Sequence, residues 1–173
     1  MHTLKTARPR PELRPFVRTF AQRNIERTAP VITEAVPAMV EQILAFELGE
    51  PVDIWHSDGR HQVSGVAALC GSQSRFAAHM GLRPGTVSFG IFFQPAGIAY
   101  LFGVPMHELT DRAEDASSVL GRAICELWHR LGESSTFEHR VQITEDFLLM
   151  QVFRVSHQNR VAAAANYVLT IVS

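Results

Sequence analysis

The sequence predicts an α+β protein, in which an N-terminal antiparallel β-barrel or sandwich is followed by a C-terminal group of two to three α-helices. Three observations carry that prediction. Short apolar runs bounded by turn residues recur about every 8–14 residues as far as Gln94. After Gly103 the apolar spacing changes from period two to the i, i+4, i+7 pattern of helices. The chain has 173 residues, enough for one compact domain with its own core.

Taken in order, Pro9, Pro11 and Pro15 make the first 15 residues an extended lead-in without a regular element, since proline fixes φ and donates no hydrogen bond. Phe16–Arg23 has strand-like density. Val31–Val36 is β-branched and stops at Pro37. In Val40–Leu48, Leu44, Phe46 and Leu48 recur at period two, and Gly49-Glu50-Pro51 breaks the run. Val52–His56 ends at Ser57-Asp58-Gly59, and Val63–Leu69 and Phe76–Met80 are further short runs. Thr86–Gln94 is the strongest strand, with Val87, Phe89, Ile91 and Phe93 on one face. Gly90 in its middle marks a bend, a bulge or a close approach to the backbone.

Val119, Leu120, Ala123, Ile124, Leu127 and Leu131 form a helical stripe, with Gly132 as its expected C-cap. Ser135 and Glu138 fit a capping box opening a helix that runs to about residue 155. A last alanine-rich stretch, Asn159–Val172, places Val161, Ala165, Val168, Leu169 and Val172 on one side.

Sixteen Lys and Arg against 17 Asp and Glu exclude a strongly basic nucleic-acid module. Mean hydropathy of +0.04 and 11 Phe exclude a disordered chain. The basic charge is concentrated at the front, in Lys5, Arg8, Arg10, Arg14, Arg18, Arg23 and Arg27. That stretch either edges a solvated strand or faces an anionic partner. Cys70 and Cys125 stand far apart without a CxxC, as expected of buried thiols in a reducing cytosol. No secretory signal opens the sequence, and a cytoplasmic location is the expectation. Pro84–Met106 carries no charge, but its three prolines and four glycines speak for strand and turns, not a membrane span.

The chemistry-bearing residues form no familiar catalytic pattern. A two-histidine metal site on a barrel strand needs imidazoles two residues apart, and no H-x-H or H-E-x-x-H occurs. G-x-S-x-G and the glycine-rich phosphate loops are also missing. Neither a catalytic residue, a metal nor a cofactor is expected. A small-molecule pocket in the mouth of the β portion remains, with Trp55, Phe89, Ile91, Phe93 and Tyr100 as lining and His56, His79 or Gln94 as polar partners. Those same aromatics also read as simple core. The helix carrying Phe137, Val141, Phe147, Leu148 and Phe153 either packs on its own sheet or pairs with a second copy of the chain.

Three motifs then stand close together: Phe93-Gln94-Pro95-Ala96-Gly97, Tyr100-Leu101-Phe102-Gly103-Val104-Pro105 and Glu108-Leu109-Thr110-Asp111. They resemble the N-terminal effector-sensing domain of AraC-family transcriptional regulators, within a cupin-like sensor subgroup. Pro11-Glu12-Leu13-Arg14-Pro15-Phe16-Val17 and the segment around Gly71 fit the same subgroup. The resemblance implies a cupin-like sensor over residues 1–112 and a helical dimerisation region over 113–157. It reads 158–173 as the truncated first helix of a helix-turn-helix domain, or a linker. It further implies an unidentified small-molecule effector, a homodimer, and DNA contact only through the C-terminal region. The motif prolines and glycines are expected to fix tight turns. A metal-dependent cupin-type enzyme using His56, His61 or His79, and a dimerisation module without a ligand, are the alternatives.

Overall fold

The computed structural model describes residues 2–76 and 78–172, with Met106 and residues 161–172 described through the backbone. Among the described residues ten strands are present: β1 (His2–Ala7), β2 (Val17–Ile25), β3 (Ile32–Val36), β4 (Gln42–Glu47), β5 (Val52–His56), β6 (His61–Val63), β7 (Ala67–Cys70), β8 (Ala78–Leu82), β9 (Val87–Phe93) and β10 (Ala113–Asp115). Four helices accompany them: α1 (Gly97–Phe102), α2 (Ala116–Leu120), α3 (Ala123–Glu133) and α4 (Phe137–Val172). The strands form two antiparallel sheets, ordered β1-β2-β9-β4-β7-β10 and β3-β8-β5-β6. They face each other as an open sandwich without closing into a barrel, so of the two expected β architectures the sandwich is the one found. The C-terminal helices are present as expected.

The six-stranded sheet is a wall with two unlike faces, because successive side chains of a strand point to opposite sides. One face carries Phe20, Leu44, Phe46, Leu69, Phe89, Ile91 and Phe93, all fully buried. Ile98 and Leu101 of α1, Ile124, Leu127 and Leu131 of α3, and Phe137, Val141 and Leu148 of α4 cover it. This is the main hydrophobic core. A smaller cluster of Ile25, Ala29, Val52 and Leu82 closes one end of the sandwich.

Several local expectations need correction. The lead-in contains a regular strand, β1, paired along its length with β2, and a 3-10 turn at Pro11–Leu13. Pro9, Pro11 and Pro15 interrupt only the segment between Ala7 and Val17. The Val63–Leu69 run is split by Ser64-Gly65-Val66 into β6 and β7, which belong to different sheets. Gly97–Phe102, expected as turn, is a helix. The first helical stripe breaks at Gly121, whose φ of 89° no helix accommodates, and Gly132 lies inside α3, which Ser134 terminates. Thr136, not Ser135, caps α4, its hydroxyl accepting from His139 N–H at 3.2 Å. The two predicted C-terminal stretches form one continuous helix, and the side chains of the stripe Val161, Ala165, Val168, Leu169 and Val172 lie outside the described residues.

Polar anchors fix the helical layer. The Arg140 guanidinium is buried; Nε donates to Leu131 O at 3.0 Å, one terminal nitrogen to Ser134 O at 2.6 Å and the other to Gln22 Oε1 at 2.8 Å. It therefore caps the C-terminus of α3, where the helix dipole favours a cation, while tying α4 to β2. Trp128 Nε1 of α3 donates to Glu47 O of β4 at 2.8 Å. The basic front of the chain is partly spent on acids of the same chain. Arg10 pairs with Glu145 at 2.9 Å, Arg18 with Glu41 at 3.2 Å, Arg23 with Glu34 at 2.7 Å and Lys5 with Glu138 at 3.6 Å.

Candidate functional site

The other face of the large sheet is lined by small residues. Cross-strand pairing sets Ala21, Gly90, Ala45 and Ala68 side by side over β2, β9, β4 and β7. Four neighbouring strands thus contribute almost no side-chain volume along one row, and a hollow of about 210 Å³ results between the sheets. Val52, Ile54, Met80 and Leu82 of the small sheet form the opposite wall, with Ile43 and Phe92 at one end. A Cβ built on Gly90 would lie 3.2 Å from the Phe92 ring, so the strand is tight even there.

The polar groups lie in the next row. Arg23, Ser88 and Glu47 are direct cross-strand neighbours on β2, β9 and β4. Ser88 Oγ donates to Glu47 Oε2 at 2.5 Å, and Arg23 bridges to Glu34 of the facing sheet. Burial among apolar walls pushes the Glu47 carboxyl up to about 7, with the Ser88 hydrogen bond and the Arg23 charge opposing it. Cys70 also lines the hollow, and burial, helped by the Glu47 charge, raises its thiol to about 11. That thiol is therefore a poor nucleophile. The arrangement suits a small apolar body with one polar end directed at Glu47.

The residues singled out from sequence fall in three places. Phe89, Ile91 and Phe93 are buried under the helices; of them only Phe89 also touches the hollow. Trp55 and His79 are cross-strand neighbours on the outer face of the small sheet, where Trp55 stacks on His61 with ring centroids 5.3 Å apart. His56 continues the inward-facing row of Val52 and Ile54, with its Nε2 buried and without a partner among the described residues. Tyr100 stacks on Phe16 at 4.6 Å and edges a shallow surface groove between α1 and α4. Gln94 donates to Arg14 O from the strand end. Among the residues offered for an interface between copies, Phe137, Val141 and Leu148 belong to the chain's own core, Phe147 stacks on Phe102, and Phe153 is exposed beside Met150.

Sequence reasoning missed Ala21, Ala45, Ala68, Ser88 and Glu47. Each strand contributes a single small residue to the row, and Gly90, between Phe89 and Ile91, was the member the sequence made visible. The outer sheet face carries a separate polar knot: Arg83 grips Asp53 with two bonds of 2.6 Å, and His61 Nε2 lies 2.9 Å from the same carboxylate. These bonds hold Asp53 down at about 2. Among the described residues no three His, Cys, Asp or Glu side chains converge as a metal site would require. No helix among them is long and apolar enough to cross a membrane.

The motif residues near the strand-to-helix transition have structural duties. A Cβ on Gly97 would lie 2.1 Å from Phe16 O, and one on Gly71 1.8 Å from Leu109 O, so backbone crosses backbone at both places. Leu109 is buried in the core, and Asp111 accepts from Ser74 N–H and Oγ–H.

Among solved structures, YhaK from Escherichia coli is similar at 15% identity with a TM-score of 0.40, over 53% of this chain and 44% of its own. The chain thus spans less than half the length of that protein. A Salmonella typhimurium LT2 structure named for ethanolamine utilization, EutQ, is similar at 10% identity with a TM-score of 0.37, over 55% of this chain and 70% of its own. No curated protein matches the chain. The family pattern described as a domain of unknown function, DUF6597, matches residues 5–115, and the chain therefore belongs to that family.

Proposed function

We propose that this chain is the ligand-sensing and dimerisation part of a cytoplasmic transcription regulator of the AraC type, acting on DNA through a separate helix-turn-helix region. The observation that carries this reading is the position of the hollow. It lies on one side of a sheet whose other side holds the helical layer, and Glu47 serves both: its carboxyl lines the hollow while its carbonyl accepts from Trp128 of α3. A ligand that contacts Glu47 differently in two packings of α3 and α4 shifts their populations, and equal affinity for both shifts nothing. The motif likeness over residues 93–111 and the exposed Met150 and Phe153 on α4, which a second copy would cover, support the regulatory and dimeric parts.

Thermal-shift screening of the chain against small metabolites and drugs tests the reading. A compound that raises Tm in the unaltered chain and fails to do so in Ala45→Phe, which fills the hollow, is the expected result. A screen in which no compound stabilises the chain contradicts sensing. The metal-dependent enzyme alternative predicts stoichiometric Fe, Mn or Zn on elemental analysis, yet His56, His61 and His79 sit on opposite faces of the small sheet.

A further inference from the structure

We infer that the hollow between the sheets takes a small apolar amine, whose ammonium is held by the Glu47 carboxylate. This rests on the hollow being the sensing site. Charge balance carries the inference. Arg23 and Glu34 already neutralise each other across the sheets at 2.7 Å. Glu47 is left with a hydroxyl, Ser88, as its partner on Oε2, and apart from Arg23 and the Ser64 hydroxyl, which accepts from Val52 N–H, the remaining lining is uncharged aliphatic, aromatic or sulfur-bearing. Among the described lining residues, an ionised Glu47 is thus the charge without an ion-pair partner of its own, Arg23 acting on it only at a distance, and a cation completes it. A carboxylate ligand meets the opposite situation, because Arg23 is engaged by Glu34 and Glu47 repels it. A neutral hydroxyl can accept a hydrogen bond from protonated Glu47, but gains no charge pairing.

The charged and titratable groups near Glu47 are Arg23 from β2 and Cys70 from β7 in the lining and, beyond it, Glu34 from β3 and His56 from β5. Burial holds Glu47 protonated well above the ordinary carboxyl range, so its charge changes near pH 7. An amine must expel that proton, so its affinity rises from pH 5.5 to pH 8, where Glu47 is already ionised.

The test compares cyclohexylamine, cyclohexanol and cyclohexanecarboxylate, equal in body and different in charge, by calorimetry or ligand-observed NMR at pH 5.5 and pH 8. The expected order at pH 8 is amine first by about tenfold or more, as a charge-assisted hydrogen bond allows, with the carboxylate last. Glu47→Gln, which copies the protonated acid in shape, erases the amine's advantage over cyclohexanol and its pH dependence. Cyclohexanol binding as well as the amine at pH 8, or an advantage that survives in Glu47→Gln, overturns the inference and leaves the sensing reading standing. Failure of all three probes at millimolar concentration overturns the hollow as the site, and both readings with it. Ala68→Leu serves as a second filled variant should Ala45→Phe fail to fold, and undiminished binding in either overturns the location.

Discussion

At the scale of single residues, three ionisable groups make distinct predictions. Among the described residues Arg140 has no carboxylate partner; it is held by two carbonyls and an amide, and desolvation pushes its ionisation down. Arg140→Ala strips the C-terminus of α3 and leaves those acceptors unpaired, and a loss of about 2–4 kcal/mol in urea unfolding is expected. Glu47 is raised in the folded state, so its contribution to stability is fully present below pH 4.5 and is lost as pH climbs through about 7. Glu47→Gln should therefore leave stability at pH 4.5 unchanged and gain about 1–3 kcal/mol at pH 8. Asp53 is depressed to about 2, so the stability it confers is present above pH 3.8 and disappears as pH falls toward 2. Asp53→Asn should lower Tm at pH 6 and flatten the acid limb between pH 4 and pH 2, which a Tm series over that range reads directly.

At the scale of elements, backbone crossing gives the sharpest contrast. Gly71 ends β7 against Leu109, and a methyl group there has nowhere to go, whereas Gly65 faces open space. Gly71→Ala should cost more than about 2 kcal/mol and Gly65→Ala close to nothing, both by chemical unfolding. Element type was legible because each run carried its own period. Leu44, Phe46, Phe89, Ile91 and Phe93 announce strands, and Ile124, Leu127 and Leu131 announce a helix. Element limits were less so. The strand β1 is exposed along most of its length and rests on pairing with β2, which its own composition does not encode. Gly132 has a normal helical place in α3, while Gly121 takes the strained φ; nothing in their neighbours tells the two apart.

At the scale of the molecule, the large sheet is a shared wall, phenylalanine-rich toward the helices and lined with small side chains toward the hollow. The pocket candidates drawn from sequence tracked bulk, and bulk marks the packed face. Ile91 and Phe93 fill the space beside them and Phe89 only touches the hollow, which exists where Ala21, Ala45, Ala68 and Gly90 leave room. Such a row becomes visible only once strand order places four distant positions side by side. Trp55 and His79 did come together, but on the outer face. The wall also makes a mechanical prediction. In a Trp55→Phe background Trp128 is the remaining tryptophan. Saturation with cyclohexylamine should change its emission through the Glu47 carbonyl it is bonded to. Unchanged emission at saturation would mean that the hollow and the helical layer are uncoupled.

The most direct measurement is methyl NMR of alanine-labelled protein during a cyclohexylamine titration at pH 8. Saturable shifts at the methyls of Ala21, Ala45 and Ala68, with Ala35 on the outer face of the small sheet unmoved, are what a ligand between the sheets produces. Saturable shifts at Ala35 with silent Ala45 and Ala68 would place binding on the Trp55 face and contradict the account.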